Sequence, residues 1–197
     1  PQTAERKESM VDPLAELPAF HIAYHIPPNR SEDHYALEVL ALVLGHGDSS
    51  RLYQTLVKKK ELCQDISVGT DDRRGPDLFS VWAIMAPGKD AEKARAEIYR
   101  ELESIAKEGV TPRELEKAKN QIHASFIFGL QSNMSRAKYL AEYQTYWGDA
   151  ALLRSEPANF AKVTNEDIRR VAGTYFPATN RTILDVVPAK AAQGANP

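Results

Sequence analysis

The sequence predicts an α+β fold of two layers, in which a mostly antiparallel sheet carries helices packed on one face. Strand-like runs cluster in the first half of the chain, and one more lies near its end. Helical periodicity dominates the second half. The 197 residues, 43% of them hydrophobic and 26% charged, are enough to bury a core as one domain.

The charge balance gives no reason to propose a nucleic acid or an acidic membrane as partner, because the net charge is only -2. The basic runs at 58–60 and 73–74 are explained by a solvated helix end and a hairpin turn. The single cysteine, Cys63, excludes an internal disulfide, and we expect it to be a small buried apolar residue. We find no apolar run of membrane-span length and no signal peptide. Because the first residue is Pro rather than Met, we expect a fragment, in which a missing targeting segment carries no information.

The chain begins with a polar stretch, residues 1–17, that we expect to be a linker or an entry strand. Apolar residues then alternate over 20–26, which is the period of a strand with one apolar face. Ser31 or Asp33 can cap the following helix, which starts near His34 and carries a broad apolar stripe.

Two helices and two strands are expected next. Gly45 predicts the end of the first helix, and a second helix is expected over 51–60. Strands are expected over 66–68 and 78–86, around a polar turn. Both faces of the later strand are apolar, which favours a central strand covered by helices.

The second half of the chain predicts mainly helices. One begins after residues 87–90, and the spacing of Thr111, Pro112 and Glu114 is typical of a capping box with proline in the first turn. The helical pattern then continues to about residue 147 and is interrupted near Gly129, so two helices or one bent helix are expected.

The end of the domain is predicted from one more helix and one more strand. Residues 164–167 can cap the helix, and residues 180–188 read as a closing strand. We therefore expect a single domain over 18–188, followed by a disordered tail over 189–197.

The histidines do not form a recognisable zinc motif. Zinc ligands on a helix are typically spaced i, i+4 and on a strand i, i+2. His34 and Glu38 share a helical face, but Glu38 stands where an inverted His-x-x-Glu-His motif would place its second histidine. We expect no metal site and interpret His34 as a capping or surface residue. His21 and His25 are too far apart along a strand to chelate together, so a polar outer face is expected.

No catalytic residue is predicted. The sequence contains no nucleophile elbow, phosphate loop or dinucleotide fingerprint. The segment Gly-His-Gly-Asp-Ser-Ser at 45–50 follows a helix and lacks the lysine of a phosphate loop, so a helix–helix turn is favoured. We interpret the aromatic residues of the long helical region as core and interface residues; they are Phe126, Phe128, Tyr139, Tyr143, Tyr146 and Trp147.

Several short blocks along residues 19–188 resemble, in order and spacing, the carboxy-terminal, non-metal domain of the pitrilysin-type (M16) zinc metallopeptidases, which include the mitochondrial processing peptidase. The blocks are Leu44-Gly45 with Ser50-Arg51-Leu52, Gly109-Val110-Thr111 with Glu114-Leu115 and Ala118-Lys119, Ala137, and Asn180-Arg181-Thr182 with Val187-Pro188. The resemblance implies a LuxS/MPP-like metallohydrolase fold. It also implies that an amino-terminal copy of the domain carries zinc, its ligands and a glutamate base, while this later copy helps to enclose a peptide chamber.

The sequence departs from the family at its functional positions. His-x-x-Glu-His occurs nowhere in the 197 residues. Catalytically complete members carry an Arg and a Tyr seven residues apart in a later domain, and these hold the substrate near the metal. The matching positions here are Val57 and Gln64, which cannot polarise a peptide carbonyl as Arg and Tyr would. The substrate-binding residues are therefore left unknown, and zinc is expected in the parent enzyme rather than in this fragment.

The resemblance implies a non-catalytic, chamber-forming and substrate-binding domain of a zinc endopeptidase, inactive when alone. The implied partners are a zinc-bearing M16 domain in the same or a second chain, an unfolded peptide, and a second subunit in a homo- or heterodimer. The alternative is an inactive homologue that acts as a structural or assembly subunit; a small-ligand module has only its generic shape in support. The compartment is left open, with a bacterial periplasm favoured over the cytoplasm.

Overall fold

The computed structural model describes residues 2–189, which form one mixed sheet with helices against one of its faces. The strands are β1 (Arg6–Asp12), β2 (Ala19–Ile26), β3 (Cys63–Thr70), β4 (Asp77–Met85) and β5 (Arg181–Pro188). Their order across the sheet is β1-β5-β2-β4-β3. β1 and β5 are parallel, and the other neighbouring pairs are antiparallel. The α+β fold with a mostly antiparallel sheet is therefore confirmed.

The helices connect β2 to β3 and fill the long segment between β4 and β5. The α-helices are α1 (His34–Gly45), α2 (Ala91–Glu108), α3 (Pro112–Gly129), α4 (Asn133–Trp147), α5 (Glu156–Ala161) and α6 (Asn165–Tyr175). A π-helix covers Tyr53–Lys59, and 3-10 turns cover Ala150–Ser155 and Ala178–Asn180. Across residues 2–189, no helix combines the length and the apolar character that a membrane crossing requires.

The core lies between the sheet and the helices α1, α2 and α6. Alternation along β2 and β4 points every second side chain toward these helices. Leu40 of α1, Ile98 of α2 and Val171 of α6 belong to the same fully buried cluster. Burying an aliphatic side chain of this size contributes about 1.5–3 kcal/mol. The strand residues of this layer are Phe20, Ile22, Tyr24, Ile26, Phe79, Val81, Ala83 and Met85.

Side-chain caps set the starts of the later helices. The Thr111 hydroxyl accepts a hydrogen bond from Glu114 N, and the Glu114 carboxylate accepts one from Thr111 N at 2.8 Å. Pro112 occupies the first turn of α3, as its position in the sequence predicts. Thr164 and Asp167 form the same reciprocal pair at the start of α6. Each box satisfies two backbone donors that the helix itself leaves unpaired.

The second predicted helix differs from expectation because it is a π-helix. Lys60 N donates to Thr55 O, five residues back, at 3.0 Å, and Leu62 N donates to Leu56 O at 2.8 Å. The wide turn leads the chain directly into β3 while Leu56 stays fully buried. The same residue types suit α and π turns, so periodicity alone does not separate the two.

Other boundaries also shift. β1 lies inside the polar segment 1–17, and β3 is longer at both ends than the predicted run 66–68. The predicted interruption near Gly129 is present, since α3 ends there and α4 begins at Asn133. Residues 150–161, to which the sequence pattern assigns no element, are helical. Residues 190–197 of the predicted tail lie outside the described residues.

Candidate functional site

The face of the sheet that points away from the helices carries an apolar patch, flanked on the same face by polar residues such as Glu8 and Ser67. Both faces of β4 are apolar, but helices cover only one face of the sheet in the described residues, as the sequence predicts, and Trp82 on the other face remains 38% exposed. Strand pairing places His21 beside Trp82 and Leu184, and Ala19 beside Ile84 and Val186. We call this surface the outer sheet face; it comprises Met10, Ala19, His21, Trp82, Ile84, Leu184 and Val186.

The outer sheet face is built for contact rather than for chemistry. The rings of His21 and Trp82 meet edge to face, with centroids 6.0 Å apart. Burial lowers the pKa of His21 although Asp71 opposes the change, so the imidazole is mostly neutral at pH 7. The expected polar outer face around His21 is therefore wrong for its immediate neighbours. Beside Trp82 a cavity of about 330 Å³ is bounded by the segment before β2 and by Ile84 and Val186.

Val57 and Gln64, the two positions that replace the family's Arg and Tyr, lie in different surroundings. Val57 sits on the π-helix and packs against the core cluster. Gln64 is exposed where the register of β3 against β4 shifts between Cys63 and Asp65, and it borders the cavity beside Trp82. Neither side chain offers a positive charge or a phenol. That Val57 and Gln64 do not replace the Arg and Tyr in substrate binding stays a prediction.

A group of potential metal ligands forms where α1 meets the end of β3. His34, Glu38 and Asp72 each offer one ligand atom, and these three atoms lie within 4.8 Å of one another. The interpretation of His34 as a capping or surface residue is wrong: Asp33 occupies the N-cap position, and His34 is only 4% exposed. Sequence spacing pairs His34 with Glu38, because they are one helical turn apart. Asp72 lies 34 positions beyond Glu38 in a polar turn, so no short-range pattern points to it.

The electrostatics of this group are unusual. Burial, and then the charge of Arg30, lower the pKa of His34 to about 4, so its imidazole is neutral at pH 7. Burial, together with Asp72 and Asp77, raises the pKa of Glu38 to about 7. The pKa of Asp72 is raised mainly by burial and also by Asp77. Two carboxyl groups and one neutral imidazole thus share a partly desolvated corner.

The other histidines, Cys63 and the turn at 45–50 lie outside this group of ligands. His25 and His46 are not buried, and His123 lies on α3. Cys63 is 3% exposed, as the small buried residue that the sequence predicts, and burial raises the pKa of its thiol to about 11. Residues 45–50 form a turn after α1, in which Gly45 lies so close to β3 that an added Cβ would stand 2.5 Å from Val68 Cγ2.

A second apolar surface lies on the helical side. α3 and α5 enclose a groove of about 460 Å³, lined by Leu115, Ile122, Phe126 and Phe160. Farther along α3 and on α4, Phe128 and Met134 are 67% and 79% exposed. The aromatic residues of this region are therefore not all core residues, and several of them are available for contacts.

The comparison with family models decides the assignment. Residues 1–122 match the model described as the peptidase M16 inactive domain. The chain belongs to the peptidase M16 family, as its inactive domain. Its relatives include the zinc protease PqqE of Helicobacter pylori, which is 31% identical over 85% of this chain and 37% of that protein. The alpha subunit of the Neurospora crassa mitochondrial-processing peptidase is 25% identical over 72% of this chain and 27% of that protein.

Solved structures of M16 proteins share the fold. A protease from Helicobacter pylori superposes with a TM-score of 0.87 and 29% identity over 95% of this chain and 45% of that chain. An inactive peptidase domain from Bordetella parapertussis gives a TM-score of 0.80 and 27% identity over 89% of this chain and 92% of that chain. The M16 inactive domain described here spans about a third of the length of the curated relatives it matches.

The residues of this M16 domain do not fit the zinc motif of the family's catalytic domains. If His34 were the first histidine of His-x-x-Glu-His, the motif would require Glu at position 37 and His at position 38. Leu37 is instead fully buried in the core, and Glu38 follows it. An inactive M16 domain implies a companion catalytic M16 domain.

Proposed function

We propose that this chain is a non-catalytic wall of the peptide chamber of an M16 zinc endopeptidase. In this role it packs against a zinc-bearing M16 domain and contacts unfolded peptides in the enclosed space. When the companion domain holds its zinc, the metal supplies an activated water for peptide hydrolysis. The described residues contribute surface and shape.

The outer sheet face is the observation that carries this proposal. Met10 and Trp82, which are 47% and 38% exposed, would become buried if a second domain lay against this face. Apolar area that leaves water gains roughly 25 cal/mol per Å². Contiguous apolar surface is typical of a contact site, and the matched part is only about a third of each relative, which leaves room for a further domain of suitable size.

The missing chemistry supports the non-catalytic part of the proposal. The 197 residues contain no His-x-x-Glu-His, and Leu37 fills the core where such a motif would need its glutamate. Val57 has no polar side-chain group, and Gln64 has neither the positive charge of an arginine nor the phenol of a tyrosine. Hydrolysis therefore requires residues outside this chain.

The experiment is a binding and activity test with the zinc-bearing domain of the parent protein, produced separately. We expect the two parts to form a complex, and we expect hydrolysis of a flexible peptide only when they are mixed. The change Trp82→Glu places a charge on the outer sheet face and should weaken the complex by about tenfold or more. Phe128→Glu, on the exposed end of α3, is the matched control and should bind normally.

Two results would contradict this proposal. One is peptide cleavage by the 197-residue chain alone in the presence of zinc. The other is equal weakening of the complex by Trp82→Glu and Phe128→Glu, which would place the contact elsewhere.

A structural or assembly subunit is the second candidate, favoured by the replacement of the Arg and Tyr by Val57 and Gln64. The complete reading frame separates the two candidates. A His-x-x-Glu-His motif followed by a distant glutamate in the parent protein supports the peptidase, and a parent protein without it supports the scaffold. A periplasmic location is part of our proposal and is tested by fractionation of the source cells.

A further inference from the structure

The corner between α1 and the end of β3 brings together three side chains that can act as ligands for a cation. His34 and Glu38 project from consecutive turns of α1, and Asp72 reaches them from the turn after β3. His34 Nε2 lies 3.7 Å from Asp72 Oδ1, which is beyond hydrogen-bond distance. Ligands at about 2.0–2.2 Å from a four-coordinate zinc ion lie roughly 3.4 Å from one another. The observed spread of 4.8 Å or less is therefore close to what a metal ion would require.

The imidazole of His34 lacks the partners that a buried polar ring normally has. The side chain is 4% exposed, and Nδ1 has no hydrogen-bond partner among residues 2–189. Nε2 is the nitrogen that faces Asp72, so an ion bound there would leave Nδ1 unpaired, and the observation that favours the site is a buried imidazole beside two carboxyl groups. The ring packs edge to face against Tyr35, with centroids 5.1 Å apart, and this contact satisfies neither nitrogen.

The carboxylates concentrate negative charge beside this ring. Glu38 accepts a hydrogen bond from the Thr70 hydroxyl, and Asp72 lies near Asp77, whose carboxylate accepts from Leu78 N at 2.8 Å. The guanidinium groups of the adjoining loops pair with other carboxylates: Arg30 with Glu156, and Arg73 with Asp71. Neither of these ion pairs neutralises Glu38 or Asp72.

We infer that His34, Glu38 and Asp72 bind one divalent metal cation of the zinc class. A neutral imidazole nitrogen and two carboxylate oxygens are a ligand set that Zn²⁺ accepts, and a water completes four-coordination. The side chain of Asp72 is 61% exposed, so an ion can enter from solvent and Asp72 can close on it by rotation. The ion would tie α1 to the end of β3 and neutralise the two carboxylates.

The test uses the 197-residue chain, since a Bordetella parapertussis inactive domain of nearly the same extent has been solved as a separate chain. The protein is stripped of metal, dialysed against Zn²⁺ and analysed for bound metal. It is also titrated with Co²⁺, whose visible absorption reports four-coordinate geometry. We expect one ion per chain and a rise in the melting temperature when Zn²⁺ is added.

The decisive variant is Asp72→Asn. Residue 72 has a φ of 59°, a left-handed conformation that Asn also adopts readily, so the variant should fold. We expect it to bind Zn²⁺ about tenfold or more weakly and to lose the metal-dependent rise in melting temperature. Glu38→Gln should do the same. Asp48→Asn and His123→Gln, which change residues outside the described cluster, are the controls and should bind like the parent chain.

Three results would overturn the inference. They are no Zn²⁺ retained by the parent chain after dialysis, equal retention by Asp72→Asn, and loss of binding in His123→Gln, which would assign the ion to a surface histidine. In the first case the pair of carboxylates would hold a proton instead, and Glu38 would titrate in solution without any response to metal.

Discussion

The guanidinium of Arg51 holds the carboxylate of Glu114 through two parallel hydrogen bonds, from Nε to Oε1 at 2.6 Å and from Nη2 to Oε2 at 2.7 Å. Its Nη1 donates to Glu101 at 2.7 Å. Because Glu114 also closes the capping box with Thr111, one arginine at the start of the π-helix fixes the start of α3. The Ser-Arg-Leu block that marks the family in sequence thus has a structural explanation.

We predict that Arg51→Met destabilises the domain by about 1–3 kcal/mol, since Glu114 loses a bidentate partner and Glu101 loses one hydrogen bond. The matched control is Arg100→Met, which removes an exposed i, i+3 pair with Glu97 and should change stability by less than about 0.5 kcal/mol. Urea unfolding of both variants measures the difference. Equal losses would show that the network around Glu114 is no stronger than a surface pair.

The same network predicts an acid-sensitive part of the stability. The hydrogen bonds from Arg51, more than any other cause, lower the pKa of Glu114 from 4.5 to about 2. A carboxyl group whose pKa is lower in the folded state stabilises the fold above its unfolded pKa, and the contribution disappears as the pH falls through the folded pKa. The stability difference between the parent chain and Glu114→Gln should therefore be constant above about pH 5 and shrink toward pH 2. A difference that stays constant down to pH 2 would contradict the assignment.

We predict that Gly45→Ala costs about 1–3 kcal/mol. The added Cβ would stand 2.6 Å from Val68 N, a backbone atom that cannot move without shifting β3. Gly173→Ala is the control, because that helical glycine of α6 has open space around it and alanine should stabilise the helix by about 0.4–1 kcal/mol. Thermal unfolding of the two variants should shift in opposite directions.

Position 165 should tolerate only a residue that, like Asn165, offers a side-chain oxygen as hydrogen-bond acceptor. Its Oδ1 accepts a hydrogen bond from Val110 N at 2.8 Å, at the junction between α2 and α3. Asn165→Ala leaves that partly buried donor unpaired and is expected to cost about 1–3 kcal/mol. Asn165→Asp retains the acceptor and should be less damaging. Chemical unfolding measures the free energy of unfolding of the two variants. A larger loss for Asn165→Asp than for Asn165→Ala would contradict this role of the side-chain oxygen.

Cys63 should be unreactive in the folded domain. Its thiol is buried, and burial raises its pKa to about 11, so little thiolate is present at pH 8. A thiol reagent at pH 8 should modify the native chain at least about a hundredfold more slowly than the urea-unfolded chain. Fast labelling under native conditions would mean that β3 opens readily at its start.

Much of the fold follows from local patterns. The alternation in β2 and the capping boxes of Thr111 and Thr164 identify their elements because the physical cause lies within a few residues. The π-helix at Tyr53–Lys59 and the helical turns at 150–161 do not follow, since tertiary packing rather than residue preference decides them.

The candidate sites are predictable only in part. The i, i+4 spacing places His34 and Glu38 on one face of α1. Asp72 reaches them because β3 extends to Thr70, and the sequence pattern predicts a shorter strand. The outer sheet face is visible as the second apolar face of β4. Whether a helix of the same chain covers it depends on the route of the connections, which no local pattern of Trp82 or Ile84 reveals.

The parallel pairing of β1 with β5 has a consequence for synthesis on the ribosome. Arg6 pairs with Thr182 and Asp12 with Pro188, so β1 cannot form its pairing until β5, the last strand of this domain, has been made. Contacts this distant in sequence form late. During synthesis β1 therefore stays unpaired until almost the whole domain has emerged from the ribosome. Chaperones that shield extended segments during synthesis would therefore find a target in β1 of this domain.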